Sequence, residues 1–218
     1  MLLNKIVNHG LCFCLKLVVN TELQQFQQSL LSHQHAYDVE VSSEALARLE
    51  TFYSLLTRWN DRLHLVAPCS PAEFATRHVL ESLILIKHLP AGAKIADIGS
   101  GAGLPIIPCL ITRPDLETTL IESSQKKAVF LREALNAVGR TASVIAKRFE
   151  EIEPPPVSFI TCRALDQFMN KATELIDWAP RGATLLLFGG EGLRAKLPKA
   201  EQLLVPGSER RYLFVLHR

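Results

Sequence analysis

The chain has 218 residues, 48% of them apolar, and a net charge of only +2. That supplies a well-buried core for one large domain, or one domain with a small appendage, and it leaves any basic patch to be local. The five cysteines, Cys12, Cys14, Cys69, Cys109 and Cys162, form no CxxC pair, and no histidine cluster completes a zinc pattern, so a reduced, cytoplasmic, metal-free protein is expected.

The first twenty residues are apolar and slightly basic, but Asn8, His9 and Lys16 interrupt them and no small-residue cleavage site follows. The run is too short and too broken to span a bilayer. Residues 1–20 therefore read as an N-terminal extension rather than a targeting or membrane segment.

Residues 21–89 read as helical. TELQQFQQSLL gives a short first helix. A second follows Ser42 or Ser43 as N-cap, with Leu46, Leu49, Tyr53, Leu56, Trp59 and Leu63 in helical period. The third opens SPAE: Ser70 as N-cap, Pro71 at the first helical position and Glu73 completing a capping box. Phe74, Leu80, Leu83, Ile84 and Ile86 supply its buried face.

From Lys94 the texture changes to strands alternating with helices. KIADI, LETTLIE, TASVIA, VSFITCRAL, ATLLLFGG and RRYLFVLH read as strands. Between them, Leu104–Ile111, SSQKKAVFLREALNAVG, LDQFMNKATELIDWA and EGLRAKLPKAEQLL read as helices, although Pro198 limits the last. Val129, Phe130, Leu135 and Val138 are spaced for burial, and Gly139 stops their helix. This alternation predicts an α/β fold with a doubly wound, mainly parallel Rossmann-like sheet over residues 90–218. The short last connection makes the final strand antiparallel, at or near an edge.

The loop after the first strand, DIGSGAG, carries Gly99, Gly101 and Gly103 at alternate positions behind Asp97. A dinucleotide fold wants G-x-G-x-x-G so that pyrophosphate can dock on the helix N-terminus. An acid just upstream suits a cationic ligand better, and S-adenosylmethionine (SAM) carries a sulfonium and an ammonium and no phosphate. Glu122 ends the second strand, where a carboxylate can accept ribose hydroxyls. Phe149 and Glu150 follow the third strand, where they could line an adenine slot. These features favour SAM, and NAD stays open at this point.

The acceptor is narrowed by absences. CRALDQF follows the fourth strand in place of an Asn/Asp-Pro-Pro-aromatic element, and no proline-cysteine nucleophile loop occurs. Cys162, at the end of an apolar strand, reads as core. Guanine N7 needs neither base nor nucleophile: it has an in-plane lone pair and no proton to lose, so alignment and electrostatics suffice. Arg58, Arg62, Arg77 and Lys87 in the helical region, and Arg194, Lys196, Lys199, Arg210 and Arg211 near the C-terminus, are candidate phosphate contacts.

The stretches WNDRLHLVA, RHVLESL, DIGSGAGLPIIP, LIESSQKKAVFL, KRFEE and CRAL, in this order, resemble the ribosomal RNA small-subunit methyltransferase G family, also called glucose-inhibited division protein B. The resemblance runs from about Thr21 to Arg218. It implies a SAM-dependent methyltransferase acting on N7 of a guanine in the decoding-region loop of bacterial 16S rRNA, as a cytoplasmic monomer working on the small ribosomal subunit or a precursor. It implies cofactor contacts at Gly99, Leu104, Phe149, Glu150 and Arg163, and places the pair Arg77 and His78 at the site. No residue is assigned as catalytic; Arg163, His78 and Arg77 are the candidates. The cofactor set is then Asp97, Gly99, Gly101, Gly103, Leu104, Glu122, Phe149, Glu150 and Arg163. A small-molecule acceptor, or a SAM-binding module without turnover, are the alternatives.

Three departures from the family pattern stand out. Ile106 replaces a glycine of L-P-G-I-P, Glu122 replaces an aspartate, and Phe188-Gly189 replaces a Lys-Gly pair. The lost lysine bears on RNA handling more than on the cofactor, and Arg194 and Lys196 are the candidates to replace it.

Overall fold

A computed structural model describes residues 21–163 and 171–218. The extension 1–20 and the first part of the helix expected over 165–179 lie outside them. No helix among the described residues is long and apolar enough to cross a membrane.

Residues 21–33 form helix α1, which tightens into a 3-10 turn at Gln34–Tyr37. Helix α2 (Ser43–Leu63) starts where the Ser42 hydroxyl accepts from the Ala45 amide, and ends at His64 in a left-handed conformation. Asn60 then hydrogen-bonds the Val66 backbone in both directions, at 2.9 and 3.1 Å, and fixes the loop beyond α2.

The third helical run, α3, spans residues 71–88 and is not one regular helix. An α-turn (Pro71–Glu73) capped by Ser70 leads into a π-helix (Phe74–Leu80), an α-turn (Glu81–Leu83) and a 3-10 turn (Ile84–His88). The side chain of Glu73 pairs with Arg77 one turn on rather than closing the capping box. The wide π-turn sets the direction of His78 and Glu81, and nothing in the periodicity announces it.

The sheet has seven strands in the order β3-β2-β1-β4-β5-β7-β6. Strands β1 (Lys94–Ile98), β2 (Glu117–Ile121), β3 (Ser143–Ile145), β4 (Phe159–Cys162) and β5 (Thr184–Gly189) are parallel. The last strand, β7 (Tyr212–His217), is antiparallel to β5 and to β6 (Glu201–Leu204). Helices α4 (Ile106–Thr112), α5 (Gln125–Ala137), α6 (Lys171–Trp178) and α7 (Glu191–Lys196) complete the α/β wrap. Alternation along each strand feeds two cores. Ile95 and Leu186 face a cluster with Phe26, Leu49, Phe74, Phe130 and Leu131, while Ala96 and Leu187 face Ala172, Leu175 and Leu193.

Two further expectations need correction. The stretch expected as one helix over 191–204 stops at Lys196, and Glu201–Leu204 is a strand, so β6 takes the edge and β7 lies one place inside it. The ladder with β7 outweighs the helical propensity of Ala200-Glu201-Gln202-Leu203. Val129 is 52% exposed, not buried; Phe130, one position on, takes the inward place.

Candidate functional site

A cavity of about 1030 Å³ opens at the carboxyl ends of β1, β2 and β4, beside the point where strand order reverses between β1 and β4. The turn after β1 is held to β2: the Gly99 and Ser100 amides donate to the Ile121 carbonyl at 2.8 and 3.2 Å. Glu122 fastens the same turn, accepting from the Gly101 amide at 2.8 Å and the Ser124 amide at 2.7 Å. A carboxylate has about four acceptor sites. Glu122 therefore keeps capacity for two hydroxyls while lining the cavity.

The three glycines do different work. All have positive φ, which side chains other than glycine rarely adopt. A Cβ on Gly99 would meet nothing within 4 Å, so that backbone faces open space. A Cβ on Gly103 would stand 2.4 Å from Ile107 Cδ1, so Gly103 serves the packing of α4 against the turn. Gly99, Gly101 and Leu104 line the cavity; Gly103 does not. Ile106, where the family pattern has glycine, is fully buried and also stays out of the cavity wall.

Asp97 is the second expected contact that does not line the cavity. It is fully buried behind the turn, where Oδ1 accepts from Thr161 Oγ1 at 2.7 Å and Oδ2 has no partner. Burial pushes its carboxyl up to about 7, against the hydrogen bonds from Thr161 and Ser100, and nearby Glu122 adds to the rise.

Phe149 and Glu150 stand on the far side of the cavity, with Lys147, Arg148 and Lys171. The Phe149 ring meets Trp178 edge-on at 5.5 Å, and Lys171 pairs with Glu150. With Ile98, Ile121 and Leu104 they give an apolar slot ending in a carboxylate. Apolar slot, bare Gly99 backbone and free capacity on Glu122 fit an adenosine, and SAM carries one.

The opposite wall brings Arg77, His78 and Arg163 together. Arg163, just beyond β4, donates from Nη2 to the Arg77 carbonyl at 2.6 Å and to Glu81 Oε2 at 3.3 Å. The same nitrogen is 3.3 Å from His78 Nδ1. A guanidinium only donates, so Nδ1 accepts and the imidazole hydrogen sits on Nε2. Burial pulls the His78 pKa down to about 3, helped by Arg163, Arg77 and Arg211. His78 is neutral at physiological pH.

The family resemblance implies Arg163 as a cofactor contact, but sequence reasoning did not find Glu81. That carboxylate is 2% exposed and lies between Arg163 and Arg211, whose Nη2 approaches Oε1 at 2.5 Å. Burial raises its pKa while the Arg163, Arg211 and Arg77 guanidiniums oppose the rise. The Arg163 guanidinium also lies 5.8 Å above the Phe188 ring. Where the family pattern has lysine, an aromatic face supports Arg163. Arg194 is held by Gln202, Glu191 and the Tyr212 ring, and neither it nor Lys196 lines the cavity. Other contributors without a local signal are Thr161, the 64–68 loop and Lys127. Glu81 had one hint, an acid inside an otherwise apolar helical stretch. Among the described residues no group of His, Cys, Asp and Glu could hold a metal.

Comparison with known proteins converges on this reading. The chain is 40% identical over 164 residues to a ribosomal RNA small subunit methyltransferase G of Gluconobacter oxydans, covering 73% of this chain and 82% of that one. It is 39% identical to the protein of the same name from Xanthomonas campestris, covering 82% and 89%. Among solved structures, a SAM dependent methyltransferase from Aquifex aeolicus superposes with a TM-score of 0.55 at 14% identity, over 75% of this chain and 97% of that one. The latter likeness concerns the fold. The family model for rRNA small subunit methyltransferase G matches residues 45–209, and the chain belongs to that family.

Proposed function

We propose that this chain transfers the methyl group of SAM to N7 of a guanine in the decoding-region loop of 16S rRNA. It would act in the cytoplasm as a monomer on the small subunit or a precursor, with residues 90–218 as the SAM-binding core and 21–89 shaping the RNA-facing wall. The observation that carries the reading is the make-up of the cavity: an apolar slot beside Glu122 that suits an adenosine, opposite a wall of Arg77, His78 and Arg163.

SAM, when bound, supplies an electrophilic methyl on sulfur. Glu122 would accept the ribose hydroxyls, and Phe149 with Ile98, Ile121 and Leu104 would pack the base; all of them line the cavity. Burial pushes the Cys162 thiol far above the usual range, which disfavours it as a nucleophile. His78 is neutral and presents an N–H rather than a charge. An acceptor that needs no proton removed and no covalent intermediate matches this wall, and guanine N7 is one. Arg163, held by Glu81 and Phe188, keeps positive charge at the wall.

The test is transfer of labelled methyl from SAM to small subunits purified from cells lacking this protein, followed by aniline cleavage at N7-methylguanine. One cleavage in the decoding-region loop is the expected result. No transfer, with SAM still bound in a parallel titration, would instead favour a small-molecule acceptor or a binding module.

A further inference from the structure

A second opening lies on the α2–α5 surface. It is a crevice of about 250 Å³ lined by Leu55, Arg58, Trp59, Arg62 and Glu133. Trp59 meets Phe130 of α5 edge-on at 6.0 Å and closes the bottom of the crevice. Arg58 and Arg62 are four residues apart on α2, so they stand about 6 Å apart along one helix face.

These arginines differ from most of the other candidate RNA contacts. Arg77 pairs with Glu73, Lys87 with Asp38, Arg194 with Glu191 and Arg211 with Glu81. No carboxylate is within ion-pair distance of Arg58 or Arg62 among the described residues. On α5, Lys126, Val129, Phe130 and Glu133 form one stripe. Phe130 turns that stripe toward α2, and Val129 remains 52% exposed beside it. The crevice thus combines two arginines held in no ion pair, one acid (Glu133), and exposed apolar surface beside it at Val129.

It also continues the main cavity. Arg62 is two residues before His64, and Lys127 is six residues before Glu133, about 9 Å along α5; His64 and Lys127 both line the cavity. Resting on the proposed RNA substrate, we infer that this crevice seats the RNA strand next to the target guanine. Arg58 and Arg62 hold successive phosphates, and a sugar or base packs on the half-buried Trp59. The occupant is RNA rather than protein because two arginines outnumber the one acid, Glu133, and stand beside the cavity that takes the base.

The experiment compares wild type, the Arg58→Ala/Arg62→Ala double variant and the charge-keeping Arg58→Lys/Arg62→Lys variant. Methyl transfer to unmodified small subunits and filter binding to deproteinised 16S rRNA are measured across a salt series. The Ala variant should keep wild-type SAM affinity and kcat, raise KM for subunits about tenfold, and flatten the log–log salt slope of RNA binding by about 1.4, the loss of two single-strand phosphate contacts. The Lys variant should recover most of the slope. Unchanged KM and slope in the Ala variant would overturn the inference. A raised KM with an unchanged slope on bare RNA would do so too, by assigning the crevice to a ribosomal protein. If the wild type transfers nothing, the RNA reading itself falls and takes this inference with it.

Discussion

Arg163 donates to Glu81 across the seam between the strand-end cavity and helix α3, with Nη2 and Oε2 3.3 Å apart. Glu81 cannot move to water, so its two guanidinium partners are part of its solvation. Glu81→Gln removes the charge and leaves Arg163 and Arg211 facing each other. Breaking a pair of this burial costs about 3 kcal/mol. Urea unfolding should show that loss, and methyl transfer should fall further than the population of folded protein does. A variant with wild-type stability would mean that the two arginines are satisfied by water.

Asp97 gives a pH signature. Its folded-state carboxyl titrates at about 7 and its unfolded counterpart near 3.8. Between those values the folded state holds more protons, so stability falls as pH rises through the window and the full penalty is present above 7. Asp97→Asn keeps an acceptor for Thr161 and cannot ionise. It should therefore be more stable than wild type at pH 8 by about 2–4 kcal/mol, and nearly equal to it at pH 4. SAM binding should weaken in the same variant. A stability difference independent of pH would refute the assignment.

His78 has the opposite sign. Its folded value of about 3 lies below the unfolded 6.5, so its contribution is complete above pH 6.5 and is lost as pH falls toward 3. Wild type should lose stability relative to His78→Gln over that range. The imidazole resonances should stay in their neutral positions from pH 8 to pH 5. A titration midpoint near 6.5 would show that the ring is open to solvent.

The glycines separate packing from binding. Gly103→Ala must displace Ile107 as well as adopt a φ of +76°, and should destabilise by about 2–3 kcal/mol. Gly99→Ala meets no atom and should cost about 1 kcal/mol of backbone strain, while placing a methyl group beside the cofactor. Calorimetric titration with SAM should show the larger affinity loss for Gly99→Ala. Equal losses would place both glycines in packing alone.

Local chemistry made much of this molecule readable. The strand Lys94–Ile98, the glycine turn and the Ser70 cap are written in neighbouring residues, and each was found where its residues announce it. What was missed depends on partners far away in the chain. Glu201–Leu204 has helical propensity and becomes a strand because β7 offers a ladder. Arg163 shows its charge in the sequence, but not that Glu81, 82 residues earlier, is the group it meets. Nor did the sequence show that Asp97 lies buried behind the turn it precedes, hydrogen-bonded to Thr161, 64 residues on.

Glu81 is answered by one arginine just after β4 and by another just before β7. During synthesis the acid emerges first, and its second counter-charge comes only after every strand but β7. A growing chain can form the glycine turn and β1 to β5 while that wall still lacks Arg211. Competence for methyl transfer should therefore arrive late, with the closing hairpin, and chains released before Arg211 should be inert even where their cofactor residues are all present.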